Sequence, residues 1–359
     1  MVLYKHKYRK AGFNMKGIKH IISIITSIAI LLCISSTNIS YGYSDKEIFV
    51  TKVLLNKLTD DSIDYMSTDI SSGLPVQQIE SRNICSEAFA VIQSEAVKYI
   101  LFVSCYNNSY SATILNTNSL ILNNAFKNGD KVTIMQKESN YYIGINGILY
   151  DFESNYVSDY NQSTYNSYNI DIDHSFWENA SKIPNCCSSF YSGKMLYVDF
   201  IKNVEINGSY VCWAACAASK INYQCDNWNF DATGIYYYAL NGYTGKKVGD
   251  PEGKSLRYIY DEYLPGTMII DKRLTTTGVY NCLNAGKPIQ IYLNDYVNKK
   301  GHSVIINGVK IYNDMTQFVL MDPGINAKLY RDVYVSGTPD KTANGFVLGD
   351  FTDWYLSAY

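Results

Sequence analysis

The stretch Tyr210-Val-Cys-Trp-Ala-Ala-Cys-Ala-Ala-Ser-Lys220 constrains this chain more than any other. Trp213, Ala214, Ala217 and Ala218 recur at spacings of three and four, the period of a helix with a buried face. The segment ahead of it, Glu205-Ile-Asn-Gly-Ser209, is polar and turn-like. The spacing therefore predicts a helix running from Cys212 to about Ile221. Cys212 then falls in the first turn, where free backbone N–H groups and the positive dipole end favour a thiolate over a thiol. A cysteine so placed is either a nucleophile or a small apolar core residue. The rest of the chain decides between the two.

At 359 residues the chain is long for one domain, since ~150 residues per domain is the usual scale. Its 47% of hydrophobic residues suffice for real cores, and its formal net charge of -2 gives no reason to expect nucleic acid as a partner. The 34 tyrosines, with abundant Asn, Ile and Lys, read as the codon bias of an AT-rich bacterial genome. None of the 9 cysteines forms a Cys-x-x-Cys pair, and no histidine follows Cys212 and Cys216 at metal-ligand spacing, so no metal site is expected. The 4 histidines are His6, His20, His174 and His302. The first two lie in a basic, acid-free start that leads into the apolar run Ile21–Ile34 and then small residues up to Gly42. That pattern predicts a secretory signal peptide over 1–42, with an uncleaved anchor as the alternative. The apolar run is short against the ~20 residues a spanning helix needs. Export permits disulfides, and Cys85 with Cys105 is a candidate pair.

Residues 43–154 predict a small α+β domain. Lys46–Leu58 is weakly helical, and Ser86–Val97 reads as a short helix. Tyr99–Val103, Lys131–Met135 and the two runs flanking Asn146-Gly147 read as strands, the last two forming a hairpin. Residues 155–192 are rich in Tyr, Asn and Ser with few aliphatics, and predict a linker. His174 in it is expected to be a surface residue, and Cys186 and Cys187 are adjacent. Beyond 193, Met195–Phe200 reads as a strand, followed by the Cys212 helix and helices over Ile235–Leu240, Ser255–Tyr263 and Thr275–Ala285. Strands follow at Ile289–Leu293, Gly301–Gly308 and Gln317–Met321. Helices first and strands later indicate an α+β architecture.

Nucleophilic cysteine chemistry needs a base, a group that orients the base, and donors for the oxyanion. His302 begins one expected strand, and Asp322 ends the next. A hairpin brings the start of one strand beside the end of its neighbour, so these two side chains should meet and the carboxylate should fix the imidazole tautomer. Singly, His302 reads equally well as an edge-strand residue and Asp322 as a turn-former before Pro-Gly. The order cysteine, Gly-His strand, Asp strand is what makes them a constellation.

Four motifs carry a resemblance: Val211-Cys-Trp-Ala-Ala-Cys216, Asn284-Ala-Gly-Lys-Pro-Ile-Gln-Ile-Tyr292, Gly301-His-Ser-Val-Ile-Ile-Asn-Gly308 and Met321-Asp-Pro-Gly324. Through them residues 195–359 resemble the papain-like cysteine peptidase superfamily, in particular its short bacterial branch with staphopain-type and bacteriocin-leader-processing peptidases. The resemblance implies a helical half and an antiparallel β half with a cleft between them. Residue by residue it implies Cys212 as nucleophile, His302 as base and Asp322 as the group that orients the base. It implies no metal or organic cofactor, and a protein or peptide as substrate. It also implies a zymogen, in which the 43–154 domain is an intramolecular inhibitor, secreted or held at the cell surface with no stable membrane association after signal cleavage. The chain departs from the family in having Tyr210-Val211 before the cysteine and no glutamine about six residues upstream. Asn207 is the nearest amide, and is the expected oxyanion donor together with the Cys212 backbone N–H. Cys216 is expected to face the core or to join a disulfide.

The same order of nucleophile, histidine and acid also fits NlpC-type cell-wall peptidases and transglutaminase-like acyl transferases. A non-catalytic surface-binding protein on the same fold is the third reading, and the irregular oxyanion position is its support.

Overall fold

The computed structural model describes residues 44–106, 108–117, 119–180, 190–207, 209–225, 227–242, 253–295, 299–324, 331–337 and 345–359. The expected signal peptide over 1–42, with Cys33, and the pair Cys186 and Cys187 lie outside the described residues. The architecture is α+β. Strands β1 (Thr68–Ile70), β2 (Leu74–Gln78), β3 (Ile84–Gln93), β4 (Ala96–Tyr106), β5 (Ser109–Asn116), β6 (Thr133–Lys137), β7 (Asn140–Ile145), β8 (Ile148–Tyr150) and β9 (Tyr156–Asp159) belong to the first half. The second half holds β10 (Phe190–Ser192), β11 (Glu205–Ile206), β12 (Ser209–Tyr210), β13 (Ile269–Ile270), β14 (Ile289–Asp295), β15 (Lys300–Tyr312), β16 (Met315–Met321), β17 (Arg331–Ser336) and β18 (Asp353–Ala358). The helices are α1 (Asp45–Asp60), α2 (Leu120–Asn128), α3 (Phe176–Ala180), α4 (Cys212–Gln224), α5 (Ala232–Gly242), α6 (Lys254–Tyr263) and α7 (Thr276–Asn284).

One sheet of 16 strands runs through both halves among the described residues, in the order β13-β18-β14-β15-β16-β17-β5-β4-β3-β2-β6-β7-β8-β9, with β1 on β3 and β10 on β15. Neighbours are antiparallel except β2 and β6. The halves join where β17 pairs with β5, Asp332 opposite Ile114 and Val335 opposite Ser111. They also share a core, since Tyr312, Met315 and Tyr334 pack with Phe49, Val53, Leu54 and Leu101. Asp45–Tyr359 is accordingly one compact unit.

Helix α1 has Asp45 and Glu47 in its first turn and Lys57 in its last, charges that suit its dipole. Its apolar stripe of Phe49, Val50, Val53, Leu54 and Leu58 covers one face of the β3–β5 sheet, while Leu122 and Ala125 of α2 cover the other. This explains an element whose type differs from expectation: Ser86–Val97 is not a helix, and its first part belongs to β3. Phe89 and Val91 face the α1 core, while Ala88, Ala90 and Ile92 face the α2 core. A strand buried on both faces is a continuous apolar run, which periodicity does not distinguish from a buried helix. The strand ends at Ser94-Glu95, both at positive φ (52 and 61), a two-residue turn into β4. The expected hairpin at Asn146-Gly147 forms, with φ of 51 and 83.

The Tyr/Asn-rich segment expected as a linker is laid along the first half by polar contacts. Tyr168 pairs with Val132 and Ser71 with Ile172. Asn166 N–H donates to Gln77 Oε1 (3.1 Å). Trp177 Nε1 donates to Thr68 O (2.8 Å), and its ring packs against Tyr65. Tyrosine and asparagine supply here what aliphatics supply elsewhere. Cys85 and Cys105 are free thiols rather than a disulfide. Met195–Phe200 is extended but is no ladder strand. Leu196 instead exchanges bonds with Asn307, N–H to O at 2.8 Å and Asn307 Nδ2 to Leu196 O at 2.8 Å. Asn307 is available for this because the β15–β16 register slips at that residue.

In the second half, Cys212 through Ile221 of α4 are all buried, as a helix enclosed on every side must be. Helices α4, α5 and α6 pack on one face of β14 with Tyr292, Leu356 and Ala358. Helix α7 packs on the other face, Val279 and Leu283 against Ile289, Ile291 and Leu293. Gln290 stands on the α4 side and is fully buried. Its Nε2 donates to Trp213 O (3.0 Å) and to Ser303 Oγ (3.0 Å). Its Oε1 accepts from the Tyr260 hydroxyl. Ser303 Oγ in turn donates to Ile291 O (3.1 Å). One amide thus ties α4, α6, β14 and β15 together.

Gln290→Leu keeps the volume but removes the acceptor of the buried Tyr260 hydroxyl and the donor that ties the Trp213 carbonyl to Ser303 Oγ, at about 1–3 kcal/mol for each buried group left short of a bond. Urea unfolding should show a loss of about 2–4 kcal/mol. A loss within error of zero would mean that this network does not hold the helix to the sheet.

Candidate functional site

Cys212 opens α4. Val211, the residue before it, gives the helix no side-chain cap. The N–H groups of the first turn are therefore left to other partners, at the positive end of the dipole. His302 lies near the start of β15, and Asp322 follows the end of β16. The register opposes Ile305 to Met321, so Asp322 lies opposite Val304, on the face of the strand that carries His302. His302 Nε2 donates to Asp322 Oδ1 at 2.8 Å. Cys212 acts on the same ring, its side chain being among the groups that raise the imidazole, and Nδ1 is the nitrogen that Asp322 leaves free. The structure thus brings together the three residues expected from the sequence. Asp322 is wholly buried, while Cys212 and His302 keep 9% and 8% of their surface.

Asp322 is braced from three directions. Gly324 N–H donates to Oδ1 (2.9 Å), His302 binds the same oxygen, and buried Arg331 Nη1 lies 3.4 Å from Oδ2. Burial by itself pushes the carboxyl up, but the charges of His302 and Arg331 win and hold it down at about 2. Burial by itself would push the His302 imidazole down, but Asp322 and then Cys212 carry it up to about 10. The ring is therefore cationic at neutral pH. Phe351 stacks on it, ring centres 5.0 Å apart and planes 25° apart. Gly324 crowds its edge, where an added Cβ would come within 3.0 Å of His302 Cε1.

The structure does not bring Asn207 to this group. Asn207 is exposed at φ 51 in the two-residue turn between β11 and β12. The Asn-Gly pair between Ile206 and Ser209 is the same hairpin signal as Asn146-Gly147, and it places Asn207 at a tip roughly 10 Å along the ladder from the hairpin base. At that base Val211 N–H donates to Val204 O (3.1 Å). The same register carried one step further puts Asn203 opposite Cys212. Asn203 N–H donates to Pro323 O (3.0 Å), which anchors it beside the Asp322 turn. Its Oδ1 is buried with no hydrogen-bond partner among the described residues. Once the β11–β12 hairpin is recognised, Asn203 can be found from the sequence.

Cys216 faces the core, its Sγ donating to Ser303 O (3.2 Å) one residue beyond His302. His174 is exposed in the first half. Among the described residues no group of three or more His, Cys, Asp or Glu side chains is placed to hold a metal ion, and no helix is long and apolar enough to cross a membrane. A scan against protein-family models finds none that matches the chain, and a search of curated proteins finds no similar sequence.

The site makes stability depend on pH in two directions. His302 binds its proton more tightly in the folded chain, so its contribution is complete below pH 6.5 and is lost as pH rises toward about 10. Asp322 binds its proton less tightly when folded, so its contribution is complete above pH 3.8 and is lost as pH falls toward about 2. The stability gap between wild type and Asp322→Asn in urea should be widest between these limits and narrow at both ends. A gap independent of pH would contradict the ion pair.

Proposed function

We propose that the chain is a cysteine peptidase, secreted or held at the cell surface, that cleaves internal peptide bonds of protein substrates. The observation that carries this reading is the His302–Asp322 hydrogen bond, with Cys212 at a helix start close enough to raise the imidazole and the carboxylate braced in the core. The cationic imidazole stabilises the Cys212 thiolate, which attacks the substrate carbonyl carbon. The proton on His302 Nδ1 passes to the leaving amine as the thioester forms. Water then adds to the thioester with its proton going to His302, and the carboxylic acid product leaves as the thiolate is restored. Asp322 holds the ring orientation throughout. The oxyanion of each tetrahedral intermediate needs donors beside the sulfur. The donors assigned to this are the Cys212 backbone N–H and the Asn203 amide, the latter presenting its Nδ2 after a half-turn of the amide.

A second reading concerns the first half of the chain. The resemblance implies a removable inhibitor. The shared sheet at β17–β5 and the shared core favour a first half that stays in place as part of the enzyme.

Cys212→Ala should abolish casein hydrolysis, and iodoacetamide should label wild type but not this variant at neutral pH. Unchanged hydrolysis would end the peptidase reading, and hydrolysis of purified cell wall in preference to casein would move it to the NlpC-type class. Asn203→Ala should lower kcat by roughly 10²-fold with little change in KM, as loss of one oxyanion donor does. Asn207→Ala should leave both parameters unchanged. The opposite pattern would return the donor role to Asn207.

A further inference from the structure

We propose that Asp350 is a positioning residue for His302, and that through it the first half of the chain holds the catalytic base in place. The proposal rests on the peptidase reading above. Leu348 and Phe351 close a tight turn by exchanging backbone bonds, 3.0 Å and 3.1 Å. Asp350 within it takes three donors from the first half. Gln78 Nε2 (2.8 Å) and Gln136 Nε2 (2.6 Å) reach Oδ1, and Glu138 N–H (3.0 Å) reaches Oδ2. The Asp350 N–H donates back to Glu138 O (3.3 Å). Gly349 adopts φ +60 and lies so close that an added Cβ would come within 2.2 Å of Glu138 O, an approach open only to glycine. The next residue, Phe351, is 2% exposed and stacks on the His302 ring.

A second tie reaches the same base from its own strand. Lys300, two residues before His302 on β15, donates to Glu138 Oε1 (2.9 Å) and Glu80 Oε1 (3.3 Å). The β6–β7 turn therefore grips both the strand that carries His302 and the ring that covers it. An imidazole held by one bond to Asp322 can still pivot about that bond. The Phe351 face is what limits the pivot, and Phe351 stands where the Asp350 turn puts it. A shift of the turn by about 1 Å would move Nδ1 away from the sulfur, and misplacement on that scale costs roughly 10²-fold in rate.

The inhibitor role and the positioning role predict opposite signs. If the first half only blocked the site, loosening the Asp350 contacts would raise activity. If it positions His302, loosening them lowers it. The test uses the full chain with Asp350→Ala, Asp350→Asn (which keeps one acceptor oxygen) and, from the other side of the contact, Gln136→Ala. Labelled casein gives kcat and KM, and iodoacetamide gives the alkylation rate of Cys212 across pH. Circular dichroism checks folding, and Gln136→Ala supplies the result if Asp350→Ala does not fold. The expected result is a kcat roughly 10- to 100-fold lower for Asp350→Ala at little-changed KM. Asp350→Asn should be intermediate, Cys212 alkylation should have an altered pH profile, and the double variant with Gln136→Ala should lose less than the product of the single losses. Activity that rises, that changes only through KM, or that does not change would overturn the proposal. Should wild type leave casein intact, the peptidase reading fails, while the alkylation profile still decides whether Asp350 positions the His302–Cys212 pair.

Discussion

The Gln290 amide is the contact on which the candidate site depends. It bonds the carbonyl of Trp213, next to Cys212, and the hydroxyl of Ser303, next to His302. Cys212 on a helix and His302 on a strand are thereby set against each other by one rigid side chain. A buried amide with its polar atoms satisfied tolerates little displacement, because a partner pulled away is left desolvated and bare. Cys216, whose thiol donates to the Ser303 carbonyl, adds a second tie between the same two elements. Apolar packing of α4 against the sheet supplies the attraction, and these bonds supply the register.

Charge is treated in the same way. Asp322 and Arg331 are an ion pair in the core, and removing one partner of such a pair typically costs about 3–5 kcal/mol. That cost fixes the Asp322 carboxylate and hence the His302 ring that it orients. The imidazole has an anion on one nitrogen and the Cys212 side chain acting on it, and it is bounded by Phe351 on its face and Gly324 at its edge. The last two come from loops that follow β16 and β17, so the geometry of the ring is set by loops and strands of the second half together. Through Asp350 the first half enters as well.

Much of this was legible in the residues. The small-residue helix at Cys212, the Gly-His strand, and the Asp-Pro-Gly that ends its neighbour are local patterns, and a hairpin register is enough to make His302 and Asp322 meet. Helix α7 was readable from Thr275 at its cap and Gly286 after its end, and the Asn146-Gly147 hairpin from two residues. Strand β3 was not, because both of its faces are buried and its pattern has no period. Asn207 reads as an oxyanion donor from the sequence because its distance along the chain from Cys212 is short. The hairpin it turns puts it far from the sulfur and brings Asn203 opposite instead. The Tyr/Asn-rich segment was read as a linker because it lacks aliphatics, yet it is held by hydrogen bonds and ring contacts that no hydrophobic pattern reports.

Local periodicity and a single hairpin in the sequence suffice for the α+β class, the order of the chemical groups and the pairing of His302 with Asp322. That the two halves share one sheet, that Arg331 braces Asp322, and that Asp350 links Gln78, Gln136 and Glu138 to the ring over His302 emerges only in the folded chain. Those contacts join residues remote along the chain. No local pattern encodes them, because they exist only once burial has removed water as the competing partner of each polar group.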